Sequence, residues 1–282
     1  MTRTRAGIGS FGGRIIFENQ NFLAVDKPAH WMVHPTRPGG PPTVWDELRQ
    51  LLAYELLGGG QVSFVNRLDR ETSGLLVVAK NKATARHLSR RIERSEISKV
   101  YLAICWGEAP APAFTVDAPI LRQGSVRPSR IWLKRCIDPA GDLARTHCRR
   151  LAGWVKNGQT FSLIEARPLT GRTHQVRVHL KSAGLPIVGD KIYGPDENLY
   201  LEFIETGWTP RLADVLLLDR HALHASGLAF TLHGHRYEFS APLPDDLETL
   251  LPAHGGHSGK KSHGATAEQG THGEKIRSEP RA

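Results

Sequence analysis

The sequence predicts an α+β fold with a largely antiparallel or mixed central sheet and flanking helices. Three observations predict it. Short apolar runs bounded by polar or glycine-rich turns outnumber the helical patterns. Only three stretches carry the 3.6-residue period of an amphipathic helix. Strand and helix candidates do not alternate in the βαβ order of a doubly wound sheet.

Taken in order, residues 14–17 and 22–25 read as two strands joined by the polar Glu18-Asn19-Gln20-Asn21, and Asp26-Lys27-Pro28 ends the second. A loop rich in Pro and Gly over 34–42 leads into a helix over 43–57. Val44, Leu48, Leu51, Leu52 and Leu56 share one of its faces, and Gly58-Gly59-Gly60 stops it. Residues 75–79 are continuously apolar between Thr72-Ser73-Gly74 and Lys80-Asn81, which suits a buried strand. Residues 82–93 read as a helix. Residues 100–106 alternate as a strand, with Val100, Leu102, Ile104 and Trp106 on one face. Further strands are expected at 144–151, 160–166, 225–232 and 236–239. A helix is expected over 174–183, with Thr173 as its N-cap and Gly184 as its stop.

Residues 1–13 read as a loose leader and 14–252 as the folded body. From 253 to 282 apolar residues nearly vanish, so the segment cannot bury enough surface to offset its ordering entropy and is expected to be a disordered tail. That tail holds five basic and three acidic residues, only +2 of the formal +9, so the basic balance belongs to the body and leader. Such a balance favours a polyanionic partner, since each cation set near a phosphate releases a counterion; charge alone leaves a merely soluble basic protein open. Three cysteines in no paired spacing point to free thiols in a reducing compartment. The start lacks an apolar stretch of signal-peptide length, and the longest apolar runs are too short to span a bilayer. A cytoplasmic protein without membrane contact is expected.

Two stretches carry chemistry. In Arg67-Leu68-Asp69-Arg70-Glu71-Thr72-Ser73-Gly74 a carboxylate lies between two arginines just before a turn and a buried strand. Nearby positive charge favours the ionised form that a nucleophile or base needs, although an isolated Arg-x-Asp-Arg is more often a surface ion-pair cluster. In the helix over 174–183, His174, Arg177 and Lys181 adjoin the apolar stripe of Val176 and Leu180. Arg177 is thus placed at the stripe's border, where a guanidinium can meet a partly buried anion; a solvated basic face is the plainer alternative.

Together, "RLDRETSGLLVVAK" and "TGRTHQVRVHLKSAGLPIVGDKIYG" resemble the signature regions of the RluA-type pseudouridine synthases, in the right order and spacing. "SKVYLAICWG" between them resembles the family's tyrosine motif, and "FLAVDKPAHWMVHP" and "RHALHASGLAF" its flanking patterns, so the likeness covers roughly residues 14–245. It implies a pseudouridine synthase-like fold with a catalytic cleft and isomerisation of uridine to pseudouridine in structured RNA, ribosomal or transfer. It implies that Asp69 is the aspartate that attacks the nucleoside or assists detachment of the base. Tyr101 is then the tyrosine beside the uracil that assists proton removal from C5, and Arg177 the partner of the aspartate. Arg67 matches a residue that enters the RNA stack when the target base flips out. Contacts to RNA are expected from Arg67, Arg70, Arg172, His174 and Lys181. The sequence departs from the pattern at Asn66, where the family usually has His; activity should survive, while local RNA contacts are put in question.

The reaction breaks a C–N bond and forms a C–C bond to the same base, so it needs a dry, apolar pocket with an aromatic face and no cofactor. No cofactor or metal is expected. Gly7-Ile8-Gly9-Ser10-Phe11-Gly12 matches a dinucleotide fingerprint but follows no strand, and His30 and His34 sit in a proline-bracketed loop and read as packing. His254, His257, His263 and His272 read as part of a solvated tail, and Trp31, Trp45, Trp106 and Trp154 as core or pocket wall. A monomer is expected. The alternatives are an RNA-binding or chaperone protein of the same fold without turnover, and, last, a glycoside-cleaving enzyme, which would need a second carboxyl group. The catalytic body starts within about fifteen residues of Met1 and no S4-like module precedes it. Target choice is therefore expected to come from the body, its loops or the tail.

Overall fold

A computed structural model describes residues 12–252. The expected tail, the leader before Gly12, and most of the glycine fingerprint lie outside the described residues.

Among the described residues the chain runs through β1 (Arg14–Glu18), β2 (Phe22–Lys27), α1 (Val44–Leu51), α2 (Ala53–Leu57), β3 (Ser63–Phe64), β4 (Ser73–Ala79), α3 (Lys82–Glu93), β5 (Ser98–Trp106) and β6 (Ala113–Asp117). It continues through β7 (Ile120–Arg122), β8 (Arg135–Ile137), β9 (Arg145–Lys156), β10 (Gln159–Pro168), α4 (Gln175–Ser182), α5 (Asn198–Thr206), α6 (Pro210–Leu216), β11 (Leu223–Leu232), β12 (His235–Ser240) and α7 (Asp245–Glu248). Ten strands form one sheet in the order β1-β2-β4-β11-β5-β10-β9-β6, with β3 on β4 and β12 on β11, while β7 and β8 form a separate hairpin.

The sheet is mixed, as the sequence predicts. Among the named strands only β4 and β11 pair in parallel, through Ser73 and Gly74 against His224 and Ala225. The two halves of the sheet therefore join at a two-residue seam. Gly74 makes the seam possible: its φ is +109°, and a Cβ there would stand 2.3 Å from the Ala225 carbonyl oxygen.

β4 is buried along its whole length because both its faces are covered. Leu76 and Val78 pack with Leu23 and Val25 of β2 against Val44, Leu48 and Leu52. Leu75, Val77 and Ala79 face Leu88 of α3 with Phe230 and Phe239. Each such aliphatic side chain contributes about 1.5–3 kcal/mol of burial, so β4 is a rigid anchor for the loop before it. In the other half, Ala103, Cys105, Phe161 and Ile164 pack on Val176 and Leu180 of α4. Trp106 and Trp154 lie against Phe161, with ring centroids 4.8 and 5.6 Å away, and Trp31 packs on the α1 side of the sheet. All three cysteines are buried and unpaired.

Three expectations need correction. The helix expected over 43–57 is two helices. Thr43 caps α1, its hydroxyl accepting from the Asp46 N–H while the Asp46 carboxylate accepts from the Thr43 N–H, but the chain bends at Leu52. The bend keeps Leu52 in the core and sends α2 off with no buried residue, tied back by the Glu55–Lys80 ion pair at 2.9 Å. At α4 the N-cap is His174, in the left-handed conformation at φ 59°, and not Thr173. A hydrogen bond between the His174 ring and Tyr193 overrides the better local capping residue. Finally, β6, β7, β8, α5 and α6 add to the elements expected; the alternation of Phe114 and Val116 in β6 and the one-turn spacing of Leu212 and Leu216 in α6 are signals only a few residues long.

Candidate active site

The seam strand β4 begins with the turn that carries Asp69. Lys27, fully buried at the end of β2, holds this turn from behind. Its ammonium donates to the carbonyls of Pro28, Trp31 and Arg70 at 2.8, 3.0 and 3.1 Å. Burial pulls its pKa down to about 7, against the opposing pull of the Asp69 charge. Two residues on, Glu71 turns away from Asp69; Lys191 donates to it at 2.9 Å and the His221 N–H at 3.3 Å. The Thr72 hydroxyl meets His221 Nε2 at 2.7 Å.

Asp69 keeps 28% of its side chain exposed, and Arg177 Nη1 donates to its Oδ2 at 2.8 Å. Arg177 is buried more deeply than a border position implies. Its Nε and Nη2 donate to both oxygens of Asp190, at 2.6 and 2.9 Å, and its guanidinium lies 4.9 Å over the Tyr193 ring. Asp190 is fully buried and also accepts the N–H groups of Ile192 and Tyr193. One guanidinium thus spans two carboxylates, one sealed and one facing the cleft.

The charge states follow from this geometry. Burial pushes the Asp69 carboxyl up, but the positive neighbours outweigh it and hold the pKa at about 2. Burial also holds His174 at about 4 and His221 at about 3, so both imidazoles are neutral at neutral pH. Arg177 is then the cation that keeps Asp69 ionised. Burial and the Asp69 charge push the Tyr101 hydroxyl well above its ordinary range, so it stays protonated.

Asp69, Tyr101 and Arg177 line one cleft of about 690 Å³, together with Arg67, Arg172 and His174. Arg67 is exposed in its wall. Arg172 donates to the Leu143 carbonyl at 3.2 Å and pairs with Asp142 at 3.5 Å. The His174 ring stands on the floor, 3.8 Å from Asp69, with Nδ1 on the Tyr193 hydroxyl at 2.8 Å. Arg70 and Lys181 do not line the cleft: Arg70 is exposed beside Glu71, and Lys181 donates to the Gly194 carbonyl at 2.9 Å. Asp190, Tyr193 and Lys99 were missed by the sequence reading. Lys99 lines the cleft, donates to the Thr170 carbonyl at 2.7 Å, and is pulled by burial to a pKa of about 8. Of the two loop histidines, His30 lies 3.5 Å from Asp219 and His34 packs edge-on against Phe64.

The profile of the RNA pseudouridylate synthase family matches residues 21–182. The chain belongs to this family. It is 39% identical to an uncharacterized RNA pseudouridine synthase of Chloroflexus aurantiacus, over 80% of this chain and 64% of the relative. It is 36% identical to the ribosomal large subunit pseudouridine synthase D of Zymomonas mobilis, over 84% of this chain and 71% of that protein. Among solved structures, human RNA pseudouridylate synthase domain containing 1 superposes with a TM-score of 0.61 at 28% identity, covering 81% of this chain and 82% of that one.

For a member of this family, the surroundings of Asn66 gain meaning. Asn66 is 9% exposed; its amide donates to the Leu75 carbonyl at 2.9 Å and its oxygen accepts from the Val77 N–H at 2.9 Å. The residue that departs from the family pattern is spent on the β4 backbone and takes nothing from Asp69. The cleft wall carries Arg67, Lys99, Arg122, Arg135, Arg172 and Arg177 against Asp69 and Asp142, a surplus of positive charge suited to a phosphate backbone. No helix among the described residues is long and apolar enough to cross a membrane.

Proposed function

We propose that this protein isomerises uridine to pseudouridine in structured RNA, with Asp69 as the catalytic carboxylate. The observation that carries the reading is the 2.8 Å bond from Arg177 to an ionised Asp69 in a basic cleft that Tyr101 also lines. Ribosomal RNA is the favoured substrate class, since relatives such as the Zymomonas protein bear the name of large-subunit ribosomal synthases. An RNA-modifying role fits the cytoplasm.

In this mechanism the target base leaves its stack and enters the cleft, with Arg67 at the wall to fill the vacated space. Asp69 attacks the nucleoside or assists detachment, and the C1′–N1 bond breaks. The base turns within the pocket and its C5 bonds to C1′, and where Asp69 had attacked C1′ the same step breaks that bond and releases the carboxylate. The C5 proton then leaves and N1 gains one, so no atom is lost or added. Tyr101, being a neutral phenol, can take the C5 proton only while passing its own hydroxyl proton on, and Asp69 is the nearby acceptor. Arg177 keeps Asp69 deprotonated for both tasks.

The alternative of an RNA-binding protein without turnover rested on Asn66, whose amide is engaged elsewhere. Glycoside cleavage needs a second carboxyl group across the bond; Glu71 is held by Lys191 outside the cleft, and Asp142, in the cleft wall, is paired with Arg172 at 3.5 Å. The test is tritium release from RNA labelled at uridine C5. The purified protein should release tritium, and Asp69→Asn should abolish release while keeping the circular dichroism spectrum. Undiminished release from that variant refutes the role of Asp69.

A further inference from the structure

The outer wall of the cleft is the hairpin of β7 and β8, whose side chains the reaction described above leaves unused. Its base is locked twice. Ile120, Leu121 and Arg122 pair with Ile137, Cys136 and Arg135, and Ile120 bridges to Asp142 on its other side. Gly141 permits the second bridge, since a Cβ there would come within 2.7 Å of the Ile120 backbone. From 122 to 135 this arm holds Arg122, Arg127, Arg130, Lys134 and Arg135 and no carboxylate. Lys134 is paired with Glu197, while Arg127 and Arg130 are exposed.

In the segment joining the two strands, Trp132 is 73% exposed, the largest side chain so placed among the described residues. Arg122 lies over one face of its indole, with the guanidinium carbon 3.7 Å from the ring centroid. The other face is the part left open. Arg122 also lines the cleft, so the pair stands beside the catalytic site and outside it. A guanidinium-backed indole with a free face, on an arm that bears only positive charge, matches a flat aromatic ligand carried on a polyanion. It does not match an acid-free protein surface or a second basic arm of the same chain, which its own charge would repel.

We propose that Trp132 and Arg122 form a stacking platform for an unpaired RNA base next to the one in the cleft, with Arg127 and Arg130 holding the neighbouring phosphates. The proposal rests on the RNA-modifying reading and deepens it. Extruding the target uridine leaves its neighbours partly unstacked, and an indole at the cleft mouth replaces a lost stacking partner.

Binding is measured in an Asp69→Asn background, so that turnover does not intervene. The probe is a stem-loop RNA with uridines and one 2-aminopurine in its loop, compared with the same stem as a blunt duplex. Adding Trp132→Ala should weaken stem-loop binding roughly 10- to 100-fold. Duplex binding should change far less, and Trp132→Phe should keep most of the affinity. Bound RNA should quench a tryptophan signal that Trp132→Phe lacks. Equal stem-loop affinity with and without Trp132, or an equal loss for loop and duplex, overturns the platform. So does sedimentation as a dimer that Trp132→Ala dissociates, because the open face is then occupied by a second copy. Tritium release by the unaltered protein is scored separately, so failure of the platform and failure of the RNA-modifying reading are told apart.

Discussion

Replacing Asp190 with Asn should unsettle this protein more than replacing Asp69, although Asp69 is the carboxylate that faces the cleft. Arg177 makes three charge-assisted hydrogen bonds, two of them to Asp190, and both residues are sealed from solvent. In Asp190→Asn the amide oxygen can still accept from Ile192 and Tyr193, but the NH2 group then opposes the Arg177 Nε–H, donor against donor. Breaking a buried ion pair from one side costs about 3–5 kcal/mol. Asp69 remains as a partial counter-charge, so the lower end, about 3 kcal/mol, applies. For a body of this size that is a fall of roughly 6–12 °C in Tm. In Asp69→Asn, by contrast, Arg177 keeps its bidentate partner, and the lost bond ends on a side chain 28% exposed. That cost should stay below about 1 kcal/mol. Urea unfolding of both variants measures the difference. Single-turnover tritium release should fall at least tenfold in Asp190→Asn, because Nη1 is no longer aimed at Asp69; roughly that factor follows from loss of orientation alone. A larger stability loss for Asp69→Asn, or an Asp190→Asn within about 1 kcal/mol of the parent, refutes the reasoning.

Acid should destabilise the fold well above the carboxylate range. Burial holds His174, His221 and His224 at about 4, 3 and 4, so the unfolded chain takes up their protons first as the pH falls. The histidine contribution is full above about pH 6.5 and declines toward pH 4 by up to about 1.4 kcal/mol per pH unit for each histidine; a flat unfolding free energy between pH 7 and 5 contradicts this. Asp69, at about 2, adds its own loss only as the pH drops below the unfolded carboxylate value and through its folded one, so its ionisation should leave tritium release unaffected from pH 5 to 8. Asn66→Ala strips partners from the buried Leu75 carbonyl and Val77 N–H and should cost about 2–4 kcal/mol by chemical denaturation; a neutral result removes its structural role. Gly74→Ala forces a Cβ into the Ala225 carbonyl at a left-handed φ and should cost more than about 3 kcal/mol or prevent folding, read by thermal unfolding.

Much of this molecule is legible along the chain. The apolar run of β4, the alternation of β5 and the β1–β2 turn are local patterns, because strand burial repeats every two residues and a turn is specified by its own side chains. The motifs around Asp69, Tyr101 and Arg177 are contiguous strings, and their resemblance to a family names the site before any coordinate does. The bend at Leu52 is not local: α1 and α2 share one periodic stripe, and only the sheet beneath decides where it stops being buried. The left-handed His174 defeats a capping rule because its ring is claimed by Tyr193, nineteen residues away.

What composition and motif determined by themselves were the fold class, the basic character and the identity of three cleft residues. What only the tertiary structure decided was how charge is shared among them. Asp190 lies thirteen residues beyond Arg177 and Asp69 lies 108 before it, yet one guanidinium donates to both. A charged pair is sensed through distance and burial, and neither is written in spacing once strands from two halves of a sheet must meet at a two-residue seam. The same holds for Trp132, one of six tryptophans in the sequence, which is distinguished only by the solvent around it and the arginine beneath.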